Sequence, residues 1–174
     1  MPTTIEVPLE LDVVDPTNAN AIWTRQDIAI AGYQGVYRFT SGVHPHSKMV
    51  FKGLVPKNLA DPENWNLVIH HAAQYGTSQL QSRVLLRVEA NVFASGDVPG
   101  ARTVIVPNQL VGAGASGDRN ITVLGEGSTF DAVLGLTAGA QLRIEFMRAP
   151  NAASGDVAGN WDLYEAPVLR CDVT

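Results

Sequence analysis

Arg-Val-Leu-Leu-Arg-Val-Glu-Ala-Asn-Val-Phe, residues 83–93, is the stretch that decides the fold class. Within residues 82–93 every second side chain is apolar: Val84, Leu86, Val88, Ala90 and Val92. The side chains between them are mostly charged or polar, with Leu85 as the exception. A period of two places alternate side chains on opposite faces of a strand, so this segment predicts a β-strand with one buried and one solvated face.

The same alternation recurs toward the C-terminus, in residues 141–148 and in residues 161–173. Within the second segment Pro167 marks an edge position or a kink, because proline has no N–H for a central ladder. Weaker alternation predicts further strands at 35–40, 48–55, 65–71, 102–106, 120–124 and 129–136. The candidate helix start Asp61-Pro62-Glu63 is interpreted as a single turn before a strand, because Val68 and Ile69 favour extended structure.

Short strands separated by glycine-, proline- and asparagine-rich turns indicate an all-β fold, either a sandwich or a barrel, and we favour an antiparallel β-sandwich. Residues 1–20 differ from the rest, since their alternating apolar residues are interrupted by Pro2, Pro8 and Pro16. We therefore expect 1–20 to form an extended N-terminal arm or an edge strand, laid on a neighbouring subunit. Residues 21–174 are expected to form a single β-sandwich domain.

Charge and cysteine content restrict the classes of partner. Twelve Lys and Arg against 17 Asp and Glu give the 174-residue chain a net charge of −5, which argues against a nucleic-acid partner because counterion release needs a basic face. The sequence has no apolar run of membrane-spanning length and no secretory signal in residues 1–10, so we expect no membrane partner. The single cysteine, Cys171, has no partner for an internal disulfide.

A glycine pattern and the histidines are candidates for a dinucleotide-binding site and a metal site. Gly112, Gly114 and Gly117 match a dinucleotide-binding pattern, but that motif needs a following helix, and residues 120–124 favour a strand. The chain has four histidines: His44, His46, His70 and His71. A cupin-like metal site would need a nearby Glu and a later histidine, and both are missing, so we favour a structural or interfacial role.

Nucleophilic and sugar-binding arrangements are weakly marked. Serines lie in predicted turns, at Ser95, Ser116 and Ser154, and Cys171 occupies an apolar position of the last strand. No pair of carboxylates is marked as catalytic, although two strands can bring any two acids together. Seven aromatic side chains could line a sugar groove, but packing is favoured: Trp23, Trp65, Trp161, Tyr33, Tyr37, Tyr75 and Tyr164. We predict no catalytic, cofactor-binding or metal-binding residues.

The succession of segments from Phe51 to Val173 carries a family resemblance. An apolar strand ending in proline, 51–56, is followed by strands at 65–73 and 83–90. The closing strands, 139–148 and 161–173, flank a loop at 151–159 that is rich in Ala, Asp and Gly. This pattern resembles small β-sandwich virion proteins of tailed bacteriophages. The chain departs from that family at its last residues and in its N-terminal arm.

The resemblance implies a jelly-roll-like sandwich with a structural, non-enzymatic role in the virion, assembled in the host cytoplasm. It implies a capsid decoration or cement protein that binds across neighbouring capsid subunits and stabilises the shell. Its partners would be the major capsid protein and copies of itself, as a trimer or dimer. The alternative is a tail or fibre component with a carbohydrate-binding, receptor-recognising sandwich. Lys48, Lys52 and Lys57 are either a contact with an acidic partner or an ordinary solvated strand edge.

Overall fold

Twelve β-strands make up the described part of the chain. The computed structural model describes residues 1–14, 21–28, 32–39, 47–62, 64–74, 83–94, 96–112, 119–125, 130, 133–148 and 160–174. Their strands are β1 Thr3–Pro8, β2 Glu10–Val14, β3 Ala21–Ile28, β4 Gly32–Phe39, β5 Ser47–Leu54, β6 Trp65–Gln74, β7 Arg83–Phe93, β8 Thr103–Gly112, β9 Asn120–Leu124, β10 Gln141–Arg148, β11 Asn160–Leu163 and β12 Val168–Val173. Within these ranges no helix is long and apolar enough to cross a membrane.

The strands form two antiparallel sheets that enclose one core. The first sheet contains seven strands, with β6 between β9 on one side and the β11–β12 pair on the other. The second sheet has five strands in the order β2-β5-β10-β7-β8. The orders β4-β11-β6-β9 and β5-β10-β7-β8 are those of a jelly roll. The predicted all-β, jelly-roll-like sandwich is therefore confirmed.

Three of the predicted strands match the structure closely, two from strong and one from weaker alternation. Residues 83–93 and 141–148 are strands β7 and β10, residues 120–124 are β9, and the described residues 61, 62 and 64 before β6 are not helical. The prediction of a strand at 129–136 is wrong for its described residues. The amides of Val133 and Leu134 both donate to the Phe130 carbonyl, at 2.9 and 2.8 Å, and so form a turn. Strand β3, the hairpin partner of β4, was not predicted.

Phe130 explains why an alternating sequence forms a turn there. Its ring lies 4.7 Å from the Trp65 ring, and both side chains belong to the buried core. Trp65 Nε1 donates to the Leu134 carbonyl at 2.9 Å. Gly125 faces the Phe130 ring with a φ of +90°, where a Cβ would lie 2.9 Å from the ring. The segment therefore covers one end of the core with its apolar side chains.

The predicted kink at Pro167 is present. Strands β11 and β12 both pair with the same side of β6, but residues 164–167 interrupt the ladder between them. The Tyr164 amide donates to the His70 carbonyl at 2.9 Å, which holds the interruption against β6. The break lets β11 pair with β4 and β12 pair with β1.

The N-terminal segment connects the edges of the two sheets. Strand β1 pairs with β12 of its own chain, and β2 pairs with β5 in the other sheet. Leu9, between them, is only 2% exposed, and its amide donates to the Pro167 carbonyl at 2.9 Å. Residues 1–14 are thus edge strands, one of the two forms expected for them. The expected contact with a neighbouring subunit stays a prediction.

Candidate functional site

The outer face of the five-stranded sheet carries a cluster of charged side chains. In β10 the core contains Leu142, Ile144 and Phe146, so Arg143 and Glu145 lie on the opposite, outer face. The same alternation places β5 and β7 side chains beside them. We call this set the charged face; its members are Asp12, Lys48, Lys52, Arg87, Glu89, Asn91, Arg102, Arg143 and Glu145.

Two carboxylates lie directly opposite each other at the centre of the charged face. Glu89 of β7 and Glu145 of β10 are partners in the ladder, a position where like charges repel unless cations lie between them. Arg102 donates to Glu145 Oε2, and Lys48 Nζ lies 3.5 Å from Glu145 Oε1. Arg87 donates through Nε to Glu89 Oε1 at 2.9 Å. Cations from three different segments thus hold the two carboxylates together.

Asp12 supplies the third carboxylate from the N-terminal segment. Lys52 Nζ lies 3.0 Å from its Oδ1, and Arg143 Nε lies 3.0 Å from its Oδ2. In the ion pairs that the described residues form here, five cations therefore share three carboxylates. The eight side chains carry a net charge of +2, although the chain as a whole carries −5.

A cavity of about 320 Å³ opens on the charged face. It is lined by Glu89, Asn91, Pro99, Gly100, Arg102 and Arg143. Asn91 is 5% exposed, and its Nδ2 donates to the Gly100 carbonyl at 2.9 Å, which fixes the orientation of the amide. Asn91 Oδ1 is buried without a hydrogen-bond partner among the described residues, whereas Arg143 Nε makes its ion pair with Asp12. These two residues are direct ladder partners.

A second concavity lies where the N-terminal segment passes from one sheet to the other. We call it the crossover groove; it has a volume of about 310 Å³ and is lined by Val7, Pro8, Glu10, Lys52, Gly53, Leu54 and Gln141. Leu54 beside it is 61% exposed. Gly53 is required at the crossing, because a Cβ there would lie 2.6 Å from Leu9 Cδ2.

His71 is a core residue rather than a ligand. It is fully buried, and its Nδ1 accepts a hydrogen bond from Trp161 Nε1 at 3.1 Å. The proton therefore lies on Nε2, which donates to Thr122 Oγ1 at 2.8 Å. Burial first, and the neighbouring His70 second, lower the pKa of His71 to about 4. Both ring nitrogens are used, so His71 has the structural role expected of it.

The remaining candidate residues do not come together. His70 lies on the outer face of the seven-stranded sheet, opposite His71, and His44 and His46 lie outside the described residues. Within the described ranges no group of three or more His, Cys, Asp or Glu is placed to hold a metal ion. Gly112 ends β8, residues 113–118 lie outside the described residues, and β9 follows as the expected strand.

Other predicted candidates are core residues or lie outside the described part. Cys171 is buried, and burial raises the pKa of its thiol. Trp65 and Trp161 are fully buried, which confirms the packing role for these two aromatics. Ser95, Ser116, Ser154 and Tyr75 lie outside the described residues, as do residues 151–159. The side chains of Trp23 and Tyr33 also lie outside the description.

The outer face of the seven-stranded sheet holds a separate ion pair. Asp162 is fully buried and accepts two hydrogen bonds from Arg38, at 2.8 and 2.7 Å. Arg119 lies over the Tyr164 ring at 4.6 Å, and burial is the main cause of the raised pKa of Tyr164. The planar, two-bond geometry of the Arg38–Asp162 pair is typical of a structural ion pair that fixes neighbouring strands.

Sequence inspection missed the charged face because it depends on strand register. The sequence predicts that Lys48 and Lys52 lie either at a contact with an acidic partner or at a solvated strand edge. In the structure they lie on β5, an inner strand between β2 and β10. They are paired with Glu145 and Asp12, which come from strands far away in sequence. Alternation shows that these side chains face outward, but it does not show which strands are neighbours.

Comparisons with known proteins find no family and only distant structural similarities. No family model matches the chain, and no curated protein matches it. Among solved structures, it is similar to a protein in the structure of infectious bursal disease virus, Gx strain, with 7% identity and a TM-score of 0.43. That match covers 99% of this chain and 33% of the viral one, so this chain spans about a third of that protein's length.

Two carbohydrate-binding modules are similar over nearly their whole lengths. The low-affinity xylan-binding module CBM86 from Roseburia intestinalis has 11% identity and a TM-score of 0.40, covering 99% of this chain and 96% of the module. The module CBM28, specific for non-crystalline cellulose, has 8% identity and a TM-score of 0.43, covering 92% and 97%.

Proposed function

We propose that this protein is a non-enzymatic structural protein of a tailed-bacteriophage virion, a capsid decoration or cement protein that binds across neighbouring shell subunits. The observation that carries the proposal is the crossover groove, with an open backbone edge beside it. The resemblance of residues 51–173 to phage virion β-sandwich proteins supports the same class. The partners are the major capsid protein and further copies of this chain.

The open edge follows from the hydrogen bonding of the N-terminal segment. The Leu9 amide donates to the Pro167 carbonyl. In an antiparallel ladder every second residue directs its N–H and C=O toward the same partner strand, so Val7 and Ile5 also direct their backbone groups toward β12. The backbone N–H groups of Thr4 and Glu6 then face away from the sheet. No described strand pairs with that side of β1. An extended segment of a neighbouring subunit can add there as a further strand.

The crossover groove gives such a segment an apolar contact. Leu54 projects beside the groove, next to the side chains of Val7 and Pro8. Backbone pairing at β1 supplies affinity, and a pocket for an apolar side chain supplies selectivity. Many weak contacts of this kind stabilise a shell, because a protein that binds only the assembled form shifts the equilibrium toward it at every site.

A substitution at Leu54 tests the proposal with little effect on folding. Leu54→Glu places a charge in the groove at a side chain that is 61% exposed. Ile121→Glu is the matched control, because Ile121 is 67% exposed on β9, in the other sheet. Shells of the encoding phage assembled without this chain are mixed with each purified protein, and the temperature of DNA release is measured.

We expect the wild-type protein and Ile121→Glu to bind the shells and raise the release temperature, and Leu54→Glu to do neither. Shells that bind Leu54→Glu as well as wild type would exclude the crossover groove as the contact. Shells that do not bind the wild-type protein would refute the decoration role. Light scattering on the full chain then measures whether free copies associate as a dimer or trimer. Removing residues 1–20 is a poor test, since it also removes the buried Leu9.

A further inference from the structure

We propose that the cavity on the charged face binds an acidic saccharide, through a carboxylate and adjacent hydroxyl groups of one sugar residue. The cavity and the crossover groove have no lining residue in common. The inference therefore goes beyond the shell contact and stands or falls independently of it. It rests on three properties of the cavity: its excess of positive charge, the unpaired amide oxygen of Asn91 and its size.

The charge of the site favours an anion. Each of the carboxylates Asp12 and Glu145 is already shared by two cations. The cavity lies between Arg102, which pairs with Glu145, and Arg143, which pairs with Asp12. A guanidinium has five N–H donors, so each keeps donors beyond those used in its ion pair. A ligand carboxylate between the two arginines would accept charge-assisted hydrogen bonds and compensate the excess of positive charge.

The unpaired amide oxygen of Asn91 favours a hydroxyl group beside that carboxylate. Asn91 Oδ1 is buried and needs a donor, whereas Arg143 Nε already faces Asp12 Oδ2 at 3.0 Å. Asn91 and Arg143 face each other across the β7–β10 ladder. A hydroxyl donates through its hydrogen and accepts through its oxygen, so one sugar hydroxyl can donate to Asn91 Oδ1 and accept from a terminal N–H of the Arg143 guanidinium. A buried acceptor without a donor is unfavourable, which favours occupation of the cavity.

Size and composition favour a single sugar residue over an extended peptide. The cavity of about 320 Å³ lies at the small end of ligand pockets, and its lining is mostly polar. Glu89 provides a further acceptor for a hydroxyl. An acidic side chain of a peptide brings a carboxylate but no neighbouring hydroxyls. The peptide's donors to Asn91 Oδ1 would be backbone N–H groups, which cannot also accept a hydrogen bond from Arg143 as a hydroxyl can.

The direct test is a titration of the full-length protein with methyl β-glucuronide, followed by NMR. Two control ligands separate the contributions: methyl β-glucoside has the hydroxyls without the carboxylate, and a blocked acidic dipeptide has carboxylates without the sugar hydroxyls. We expect the glucuronide to bind with a Kd of about 1 mM, which is typical of the ligand efficiency of so small a molecule. Both controls should bind at least about tenfold more weakly.

Two substitutions should change the affinity in opposite directions. Arg102→Gln removes a cation from the cavity and should weaken glucuronide binding about tenfold or more. Glu89→Gln removes a negative charge beside the ligand and should strengthen binding severalfold. Arg170→Gln is the matched control, since Arg170 pairs with Glu6 on the other sheet, and it should leave the affinity unchanged. Thermal unfolding of each variant verifies that it is folded.

Three results would overturn the proposal. Equal binding of the glucoside would exclude a role for the carboxylate. Equal binding of the acidic dipeptide would make the cavity a simple anion or peptide site. No binding of the glucuronide to the folded wild-type protein would mean that water alone satisfies Asn91 Oδ1. None of these results bears on binding to shells, which depends on Leu54.

Discussion

Replacing Leu9 with alanine tests whether the N-terminal segment closes the sandwich. Leu9 is 2% exposed and belongs to the core between the sheets. A buried Leu→Ala change costs about 2–5 kcal/mol, from lost apolar burial and the cavity left behind. For a chain of this size each kcal/mol lowers Tm by about 2–4 °C, so a loss of about 3 kcal/mol corresponds to about 6–12 °C.

Urea denaturation followed by tryptophan fluorescence measures the loss, because Trp65 and Trp161 are fully buried in the folded protein. Leu54→Ala is the control: it is the same chemical change at a side chain that is 61% exposed, and it should cost no more than about 0.5 kcal/mol. If Leu9→Ala costs as little as Leu54→Ala, the segment does not contribute to the core as described.

Gly53→Ala extends the same test to a pair of residues. A Cβ at position 53 would lie 2.6 Å from Leu9 Cδ2, so Gly53→Ala alone should cost about 1–2 kcal/mol. In the Leu9→Ala background that methyl group is absent, and Gly53→Ala should cost less by about 1 kcal/mol. Additive effects in this double-mutant cycle would refute the close contact between Leu9 and Gly53.

Two further predictions concern buried polar groups. The pKa of His71 is lowered to about 4, so the unfolded chain takes up a proton below about pH 6.5 that the folded protein does not. The free energy of unfolding should fall between about pH 6.5 and 4, by up to about 3 kcal/mol. His71→Gln should remove that part of the slope in urea denaturation at several pH values, and an unchanged slope would contradict the assignment. Asp162→Asn leaves the partly buried Arg38 without its carboxylate and should cost about 3 kcal/mol. Glu6→Gln, in an exposed ion pair, should cost at most about 1 kcal/mol in the same assay, and equal losses would contradict the importance of burial.

Alternation along the sequence predicts strands well where one face of a strand is buried. Residues 83–93 and 141–148 show this, because their alternating apolar residues point into the same core, with Leu85 and Met147 on the opposite face. The same signal failed at 129–136, where Phe130 and Leu136 are also buried but through a turn. Periodicity indicates which residues are buried, but it does not determine the backbone conformation that buries them.

The charged face was beyond prediction for a different reason. Glu89 and Glu145 are 56 positions apart in the sequence, and only the register of β7 against β10 makes them neighbours. Asn91 and Arg143 meet through the same register. A shift by one residue would turn each of these side chains into the core, so the buried alternation fixes the register. The buried residues therefore fix the strand register that brings the polar residues together. Neither the buried nor the polar residues reveal this contact in the sequence.

The N-terminal segment joins the hydrophobic and electrostatic parts of this structure. Leu9 closes the core at the crossing between the sheets, and three residues later Asp12 lies between Lys52 and Arg143. Without Asp12 those two cations would lose the carboxylate they share, because Glu145 is already paired with Lys48 and Arg102. The segment is therefore a structural element of the sandwich: its side chains stabilise the fold, and none of the described strands pairs with the outer edge of β1.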